Sequence, residues 1–159
     1  MSAKLLGVWV RFAVICMLLC GVAVCAWLLP EYGSSLASKY PEFAHAYVPW
    51  LVFIWVTFVP CVGVLALGWK VAGAIAKDEA FTLKVAKWIK TAAMLIFVAV
   101  GIFFAGNILF FFLNLSHPSI ALASLFADII GIAIAIVAAT LARYVTKAAV
   151  LQEEAEGTI

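Results

Sequence analysis

The sequence predicts an all-α integral membrane protein, a four-helix transmembrane bundle with both termini cytoplasmic. Composition decides the class: 68% of the 159 residues are hydrophobic and 11% are charged, against about 45–50% and about 25% in soluble domains. The orientation follows from the cations, which cluster on one side of the predicted spans. We expect a single transmembrane domain, residues 1–159.

Four stretches are apolar enough to cross a bilayer, because a transmembrane helix needs about 20 mostly apolar residues. They are residues 12–29, 48–69, 91–115 and 120–142. Lys4 and Arg11 precede the first stretch, as in a signal peptide, but its apolar run exceeds the ~7–15 residues of a signal-peptide core. We therefore expect it to remain as the first span.

The connections differ in charge. Nine of the ten cations lie in the two terminal segments and in the connection 70–90, whereas the connections 30–47 and 116–119 contain only Lys39. The positive-inside rule therefore places the connection 70–90 and the tail 143–159 in the cytoplasm. The short connection 116–119 predicts that the third and fourth helices are antiparallel neighbours.

The outer connection, residues 30–47, contains Pro, Gly and Ser, which break helices. Its aromatic residues suit the membrane interface; they are Tyr32, Tyr40, Phe43 and Tyr47. We expect this connection to leave the outer end of the bundle open. A short helix on the membrane and a lid over the bundle are the alternatives.

The inner connection contains "KDEAFTLKVAKWIK", where Phe81, Val85, Trp88 and Ile89 fall on one helical stripe. This pattern predicts an interfacial helix or an extension of the third span, capped by Thr82 or Asp78. A solvated charged face is the plainer interpretation. The alternative is a docking face for a cytoplasmic partner, formed by Phe81, Thr82, Lys84 and Lys87.

Asp128 is an acid inside the apolar run "LFADIIGIAIAIV". At 1.5 Å per residue, Asp128, Asn107 and Thr57 lie at similar depths in the outer half of the bilayer. Ala123, Ala127, Gly131 and Ala135 recur every four residues, a pattern typical of close helix contacts.

We therefore expect Asp128 to face the bundle and Asn107. Desolvation disfavours a charged carboxylate, so one interpretation is a neutral polar clasp sharing hydrogen bonds with Asn107 and Thr57. The other is a proton or cation site on a transport route, the usual suspicion for an intramembrane acid.

Enzyme and metal-site motifs are absent from the sequence: it has no phosphate-binding glycine loop, no H-E-x-x-H and no nucleophile elbow. Its cysteines lie in the predicted spans without a C-x-x-C, and its two histidines are isolated; they are Cys16, Cys20, Cys25, Cys61, His45 and His117. We expect no enzymatic activity, no metal and no cofactor.

The inner-connection "AFT" followed by "LKVAKWIK", together with the ending "LARYVTKAAVLQEEAEGTI", resembles the bacterial domain-of-unknown-function family 2975 (DUF2975). Its members carry Pro-Phe-Ser/Thr where this chain has Ala80-Phe81-Thr82, and a "LQEENDLTI"-like tail that differs here. The resemblance implies a small bacterial inner-membrane protein, often encoded beside a small helix-turn-helix regulator. Such an arrangement is typical of membrane partners that hold a transcription factor at the bilayer.

The tail offers a route for such binding. We expect the helix to continue from Arg143 with Tyr144, Ala148 and Leu151 along one side. It ends in three acids, Glu153, Glu154 and Glu156, on which a basic DNA-binding domain can dock. The plainer alternative is a solvated helix end paired with the inner connection. In neither case do we expect the chain to bind nucleic acid directly.

These observations leave three hypotheses. The first is a non-enzymatic membrane regulator or sensor that binds a cytoplasmic partner, and the second is a small transporter or ion pathway using Asp128. The third is an accessory packing subunit of a membrane complex. The oligomeric state stays open, because the small-residue face of the fourth span suits a second copy as well as an internal contact.

Overall fold

The computed structural model describes residues 2–157, which form helices and no β-strand. The helices are α1 (Ala3–Ala23), α2 (Leu29–Lys39), α3 (Tyr47–Ala76), α4 (Leu83–Phe112) and α5 (Pro118–Glu156). A π-helical turn (Val24–Leu28) joins α1 to α2, and a 3₁₀ helix (Pro41–Ala46) joins α2 to α3. Four continuous helical stretches are long and apolar enough to cross a membrane. The predicted all-helical class and the predicted number of long apolar helices are therefore confirmed.

The helices pack in sequence order, α1 on α3, α3 on α4 and α4 on α5, the last pair having the most extensive contact. Glycines permit the close approach: a Cβ on Gly7 of α1 would lie 2.6 Å from Ala76 Cβ of α3, and one on Gly131 of α5 would lie 2.5 Å from Val100 Cγ2 of α4. The start of α1, the α3–α4 turn and the end of α5 thus share one end of the bundle. We call it the terminal end, and the opposite end, with α2 and the α4–α5 turn, the loop end.

The outer connection differs from the prediction, because residues 30–39 continue the first helix instead of forming a loop. Pro30 lies in the first turn of α2, directly after the π-helical turn, where the regular hydrogen-bond ladder is already altered. The serines are accommodated as well, since Ser34 and Ser38 donate hydrogen bonds to the carbonyls of Glu31 and Ser35.

The inner connection is much shorter than the predicted 70–90, because α3 and α4 extend to Ala76 and from Leu83. Thr82 caps α4 by accepting a hydrogen bond from the Val85 N–H at 3.3 Å, which confirms the extension of the third span and its Thr82 cap. Asp78 instead ends α3 in the left-handed region (φ 61°), while the Glu79 N–H bonds to the Ala74 carbonyl.

The α4–α5 turn, like the α3–α4 turn, contains a residue in the left-handed region followed by a helix cap. Asn114 adopts φ 55°, and the Leu115 N–H donates to the Phe110 carbonyl at 2.8 Å, which closes the end of α4. His117 then caps α5, because its Nδ1 accepts a hydrogen bond from the Ser119 N–H at 3.2 Å. The predicted short turn between antiparallel neighbours is confirmed.

The packed face of α5 differs from the predicted four-residue repeat. Its inward residues alternate spacings of four and three, the heptad pattern of a left-handed helix pair; they are Ser124, Asp128, Gly131, Ala135, Ala138, Ala142, Val145 and Ala149. Ala123 and Ala127 are exposed, because a strict four-residue row drifts around a helix. Asp128 therefore lies in the middle of the packed stripe.

Candidate functional site

Three polar side chains are buried on the packed faces of α4 and α5 in the spanning region: Asn107 of α4, and Ser124 and Asp128 of α5. Asp128 is 3% exposed and Asn107 is 6% exposed. The Asn107 Nδ2 donates to the Phe103 carbonyl at 2.8 Å, but the Asn107 Oδ1 and both Asp128 carboxylate oxygens have no hydrogen-bond partner among the described residues. Asp128 and Asn107 therefore hold three buried oxygen acceptors that receive no hydrogen bond from residues 2–157.

Thr57, the third member of the predicted polar layer, takes no part in this pair. It is half-buried on α3, and its Oγ1 donates to the Phe53 carbonyl of its own helix at 2.9 Å. The hydrogen bonds of the predicted clasp are thus absent: Thr57 is satisfied locally, and Asp128 has no donor.

The register of α4 against α5 explains why counting from the ends misplaced Asn107. Gly131 of α5 lies against Val100 of α4. Seven residues nearer the loop end on each helix, Asn107 of α4 therefore lies level with Ser124 of α5. Asp128 is one turn deeper, about 6 Å at 1.5 Å per residue. The predicted common depth of Asp128 and Asn107 is therefore wrong by one helical turn.

The direction of the side chains compensates for this offset. A Cβ tilts toward the N-terminus of its own helix; α4 begins at the terminal end, so Asn107 leans toward that end. Because α5 begins at the loop end, Asp128 leans the opposite way, toward Asn107. The tilt of the two Cβ atoms therefore favours an approach of the Asp128 and Asn107 side chains in the layer between them.

A second site lies at the terminal end, where three helices continue beyond the predicted spans. Val145 of α5 packs there with Ala74 of α3 and with Val85 and Ala86 of α4, and Trp88 borders this cluster. The predicted pairing of the tail with the inner connection is therefore present. The continuation of α5 brings its last residues past the α3–α4 turn, because Val145 already lies level with Ala86.

Cations at this end lie over aromatic rings. Lys84 Nζ lies 5.3 Å and Lys70 Nζ 6.0 Å from the Trp88 ring centroid, while Arg11 Cζ lies 5.2 Å from that of Trp69. Such contacts are worth about 0.5–1 kcal/mol where exposed. They hold part of the positive charge of the terminal end close to Trp69 and Trp88.

Phe81 stands apart from the stripe predicted for the inner connection. Val85 is buried and Trp88 and Ile89 are half-buried, whereas Phe81 is 58% exposed. Four charged residues are exposed at the same end of the fold, on the first turns of α4 and the last turns of α5: Lys84, Lys87, Glu153 and Glu154. The terminal end thus combines an exposed aromatic ring with charges of both signs.

The tail is helical to Glu156, as predicted, but its buried side is not the predicted one. Val145 and Ala149 are buried, whereas Tyr144 and Leu151 are exposed and Ala148 is half-buried. The heptad stripe of the span simply continues into the tail. The side chain of Glu156 and the whole of Thr158 and Ile159 lie outside the described residues.

A cavity of about 630 Å³ lies at the loop end, within the ~300–1,000 Å³ of typical small-molecule sites. Its lining is mainly apolar and aromatic and includes Tyr32, Tyr40, Phe43, Tyr47, Trp50, Leu115 and His117. The outer connection forms one wall and the α4–α5 turn another. The outer connection, which we expected to leave this end open, thus lines a cavity there.

Family comparison agrees with the motifs quoted above. The profile of DUF2975, described as a protein family of unknown function, matches residues 31–159. The chain belongs to the DUF2975 family. No curated protein and no solved structure matches it significantly.

The DUF2975 match includes both sites, since Phe81, Asn107 and Asp128 all lie within it, and it leaves out α1. Within residues 2–157, no group of three or more His, Cys, Asp or Glu side chains is placed to hold a metal ion. Sequence reasoning missed the loop-end cavity. Its signal was the density of aromatic residues in 30–50, which we interpreted as membrane anchors.

Proposed function

We propose that this DUF2975 protein is a non-enzymatic regulator of the bacterial inner membrane that binds a cytoplasmic protein at its terminal end. The partner best suited to this surface is a small helix-turn-helix transcription regulator, the neighbour that the family resemblance implies. In this proposal the termini face the cytoplasm, in agreement with the nine cations at that end.

The exposed Phe81 carries the proposal. The turn that contains Phe81 is held in place by its neighbours, because Thr82 caps α4 and Val85 is buried in the terminal-end cluster. A phenylalanine ring held exposed in a fixed turn is a typical anchor of a protein interface, where aromatic residues contribute most of the binding energy. Thr82, by contrast, has a structural role as the helix cap.

The surrounding charges suit a protein with a basic surface. Glu153 and Glu154 extend past the turn on α5 and can attract a basic DNA-binding domain, while Lys84 and Lys87 stay on the α4 side. DNA would compete with the tail for the same basic surface of the partner. Partner release would thereby couple the state of the bundle to transcription.

The direct test is photo-crosslinking from position 81 in the full-length protein in its native cells. We replace Phe81 with benzoylphenylalanine, irradiate, and identify adducts by mass spectrometry. We expect an adduct with a small DNA-binding protein, and a strong loss of that adduct when residues 152–159 are removed.

The matched control places benzoylphenylalanine at Phe112, an aromatic residue that is 77% exposed at the loop end. The control should capture lipid or membrane proteins but not the DNA-binding protein. If positions 81 and 112 capture the same molecules, the regulator proposal is wrong.

One observation favours a second candidate function, a small transporter or ion pathway. The Asp128 carboxylate is buried without a donor, as expected of an intramembrane acid on an ion route. In proteoliposomes, Asp128→Asn should abolish flux while removal of residues 152–159 leaves it unchanged. Undiminished flux through Asp128→Asn would exclude this candidate.

A further inference from the structure

The buried pair of Asp128 and Asn107 has three acceptor oxygens and a single donor group, the Asn107 amide nitrogen. Both Asp128 oxygens and the Asn107 Oδ1 lack a donor among the described residues, and both side chains are more than nine-tenths buried. The Asn107 amide nitrogen donates to the Phe103 carbonyl of its own helix and not to Asp128. No hydrogen bond therefore joins the two residues. Buried acceptors without a donor are costly, most of all on a charged group.

The surrounding helices supply no compensating positive charge. Between Lys90 and Phe112, α4 contains no titratable side chain, and between His117 and Arg143 the only one on α5 is Asp128 itself. On α3 the titratable groups before Lys70 are Tyr47, at the loop end, and Cys61. On α1 the titratable groups are Lys4 and Arg11, toward the terminal end, and the thiols of Cys16 and Cys20; the Cys25 thiol follows in the π-helical turn.

We propose that Asp128 and Asn107 bind one monovalent cation, a sodium ion or a proton, between α4 and α5. The charge limits the ligand: one carboxylate balances one positive charge, whereas a divalent cation would leave a net charge in an apolar layer. Oxygen atoms are the ligands that hard cations prefer. A bound proton would turn Asp128 into a donor that leans toward the Asn107 Oδ1.

Binding of this cation would strengthen the most extensive helix contact of the bundle, because its ligands come from both α4 and α5. The inference does not depend on the proposed cytoplasmic partner, since binding is measured on the purified protein alone. Nor does it require transport, because a site of this kind can bind at equilibrium without releasing the ion to the other side.

The test is thermal unfolding of the purified full-length protein in detergent, followed by the fluorescence of its six tryptophans. Sodium chloride replaces choline chloride at constant ionic strength and fixed alkaline pH, and a second series lowers the pH in choline chloride alone. A ligand that binds only the folded state raises the melting temperature by mass action. We expect a rise of about 3 °C or more in one of the two series.

A rise with sodium identifies a sodium site, and a rise on acidification without an effect of sodium identifies a proton site. Asp128→Asn, which keeps the shape and removes the charge, should abolish the rise, and Asn107→Ala should weaken it. Thr57→Val is the matched control and should respond as the wild type does. The proposal is overturned if the wild type responds to neither series, or if Asp128→Asn responds as fully as the wild type. Should Asp128→Asn fail to fold, Asn107→Ala is compared with the wild type in the same way.

Discussion

Single residues determine how closely the helices approach. Gly7 illustrates this, since a Cβ there would lie 2.8 Å from the Ala72 carbonyl oxygen and 2.9 Å from the Ala76 Cα of α3. These are backbone atoms, which cannot turn aside as the end of a flexible side chain can. Gly101 of α4, in contrast, has no neighbour within 4 Å of the same position.

We predict that Gly7→Ala destabilises the bundle, because the added methyl group forces α1 away from α3. Overpacking of this kind costs about 1–3 kcal/mol, or a melting temperature lower by roughly 2–4 °C per kcal/mol in a chain of this size. Thermal unfolding in detergent measures the change. Gly101→Ala serves as the control and should leave the melting temperature unchanged or raise it slightly, since alanine favours a helix over glycine.

At the residue scale, the sequence identified Asp128 and Asn107 as inward-facing but not their relative depth. The burial of these two side chains was predictable, because a polar residue in an apolar membrane helix usually faces the interior of the bundle. The depth of each residue depends on the register of α4 against α5, which the contact of Gly131 with Val100 shows. No local sequence pattern predicts that contact. The exposure of Phe81 was equally hidden, because helical periodicity assigned it to the packed stripe although it precedes the first turn of α4.

Helix ends are set by short motifs in this chain. Asp78 and Asn114 end α3 and α4 in the left-handed region, and Thr82 and His117 begin α4 and α5. Asp and Asn tolerate this backbone conformation better than most residues, so two turns form without glycine. The spans themselves were predictable from hydropathy. The helix through Pro30 was not, because its accommodation depends on the π-helical turn before it.

We predict that Thr82→Ala weakens the start of α4, because it removes the oxygen that accepts from the Val85 N–H. The expected cost is about 1 kcal/mol, visible as a lower melting temperature and faster hydrogen exchange in the first turn of α4. Thr82→Ser should restore both, and Thr91→Ala, which removes only a hydrogen bond to the Lys87 carbonyl within the helix, should have a smaller effect. Equal losses for Thr82→Ser and Thr82→Ala would contradict the capping role.

The whole molecule has two chemically different ends. The terminal end combines the exposed Phe81 with cations and the acidic residues of the tail, and the loop end has an aromatic cavity beneath a helical connection. Between them, Asp128 and Asn107 lie in the contact of α4 with α5. In the proposed function, the exposed Phe81 supplies the surface for the partner, and the contact of α4 with α5 is the part of the bundle that cation binding would strengthen.

The measurement that tests this account most directly is the orientation of the terminal end, because a cytoplasmic partner can reach Phe81 only from the cytoplasm. Single cysteines are introduced as Glu79→Cys in the α3–α4 turn and Ser34→Cys in α2, both at exposed positions. Intact cells are then treated with a membrane-impermeant maleimide, with the unmodified protein as the background control. We predict labelling of Ser34→Cys in intact cells and of Glu79→Cys only after the membrane is permeabilised. Labelling of Glu79→Cys in intact cells would place the terminal end outside and contradict the proposed function.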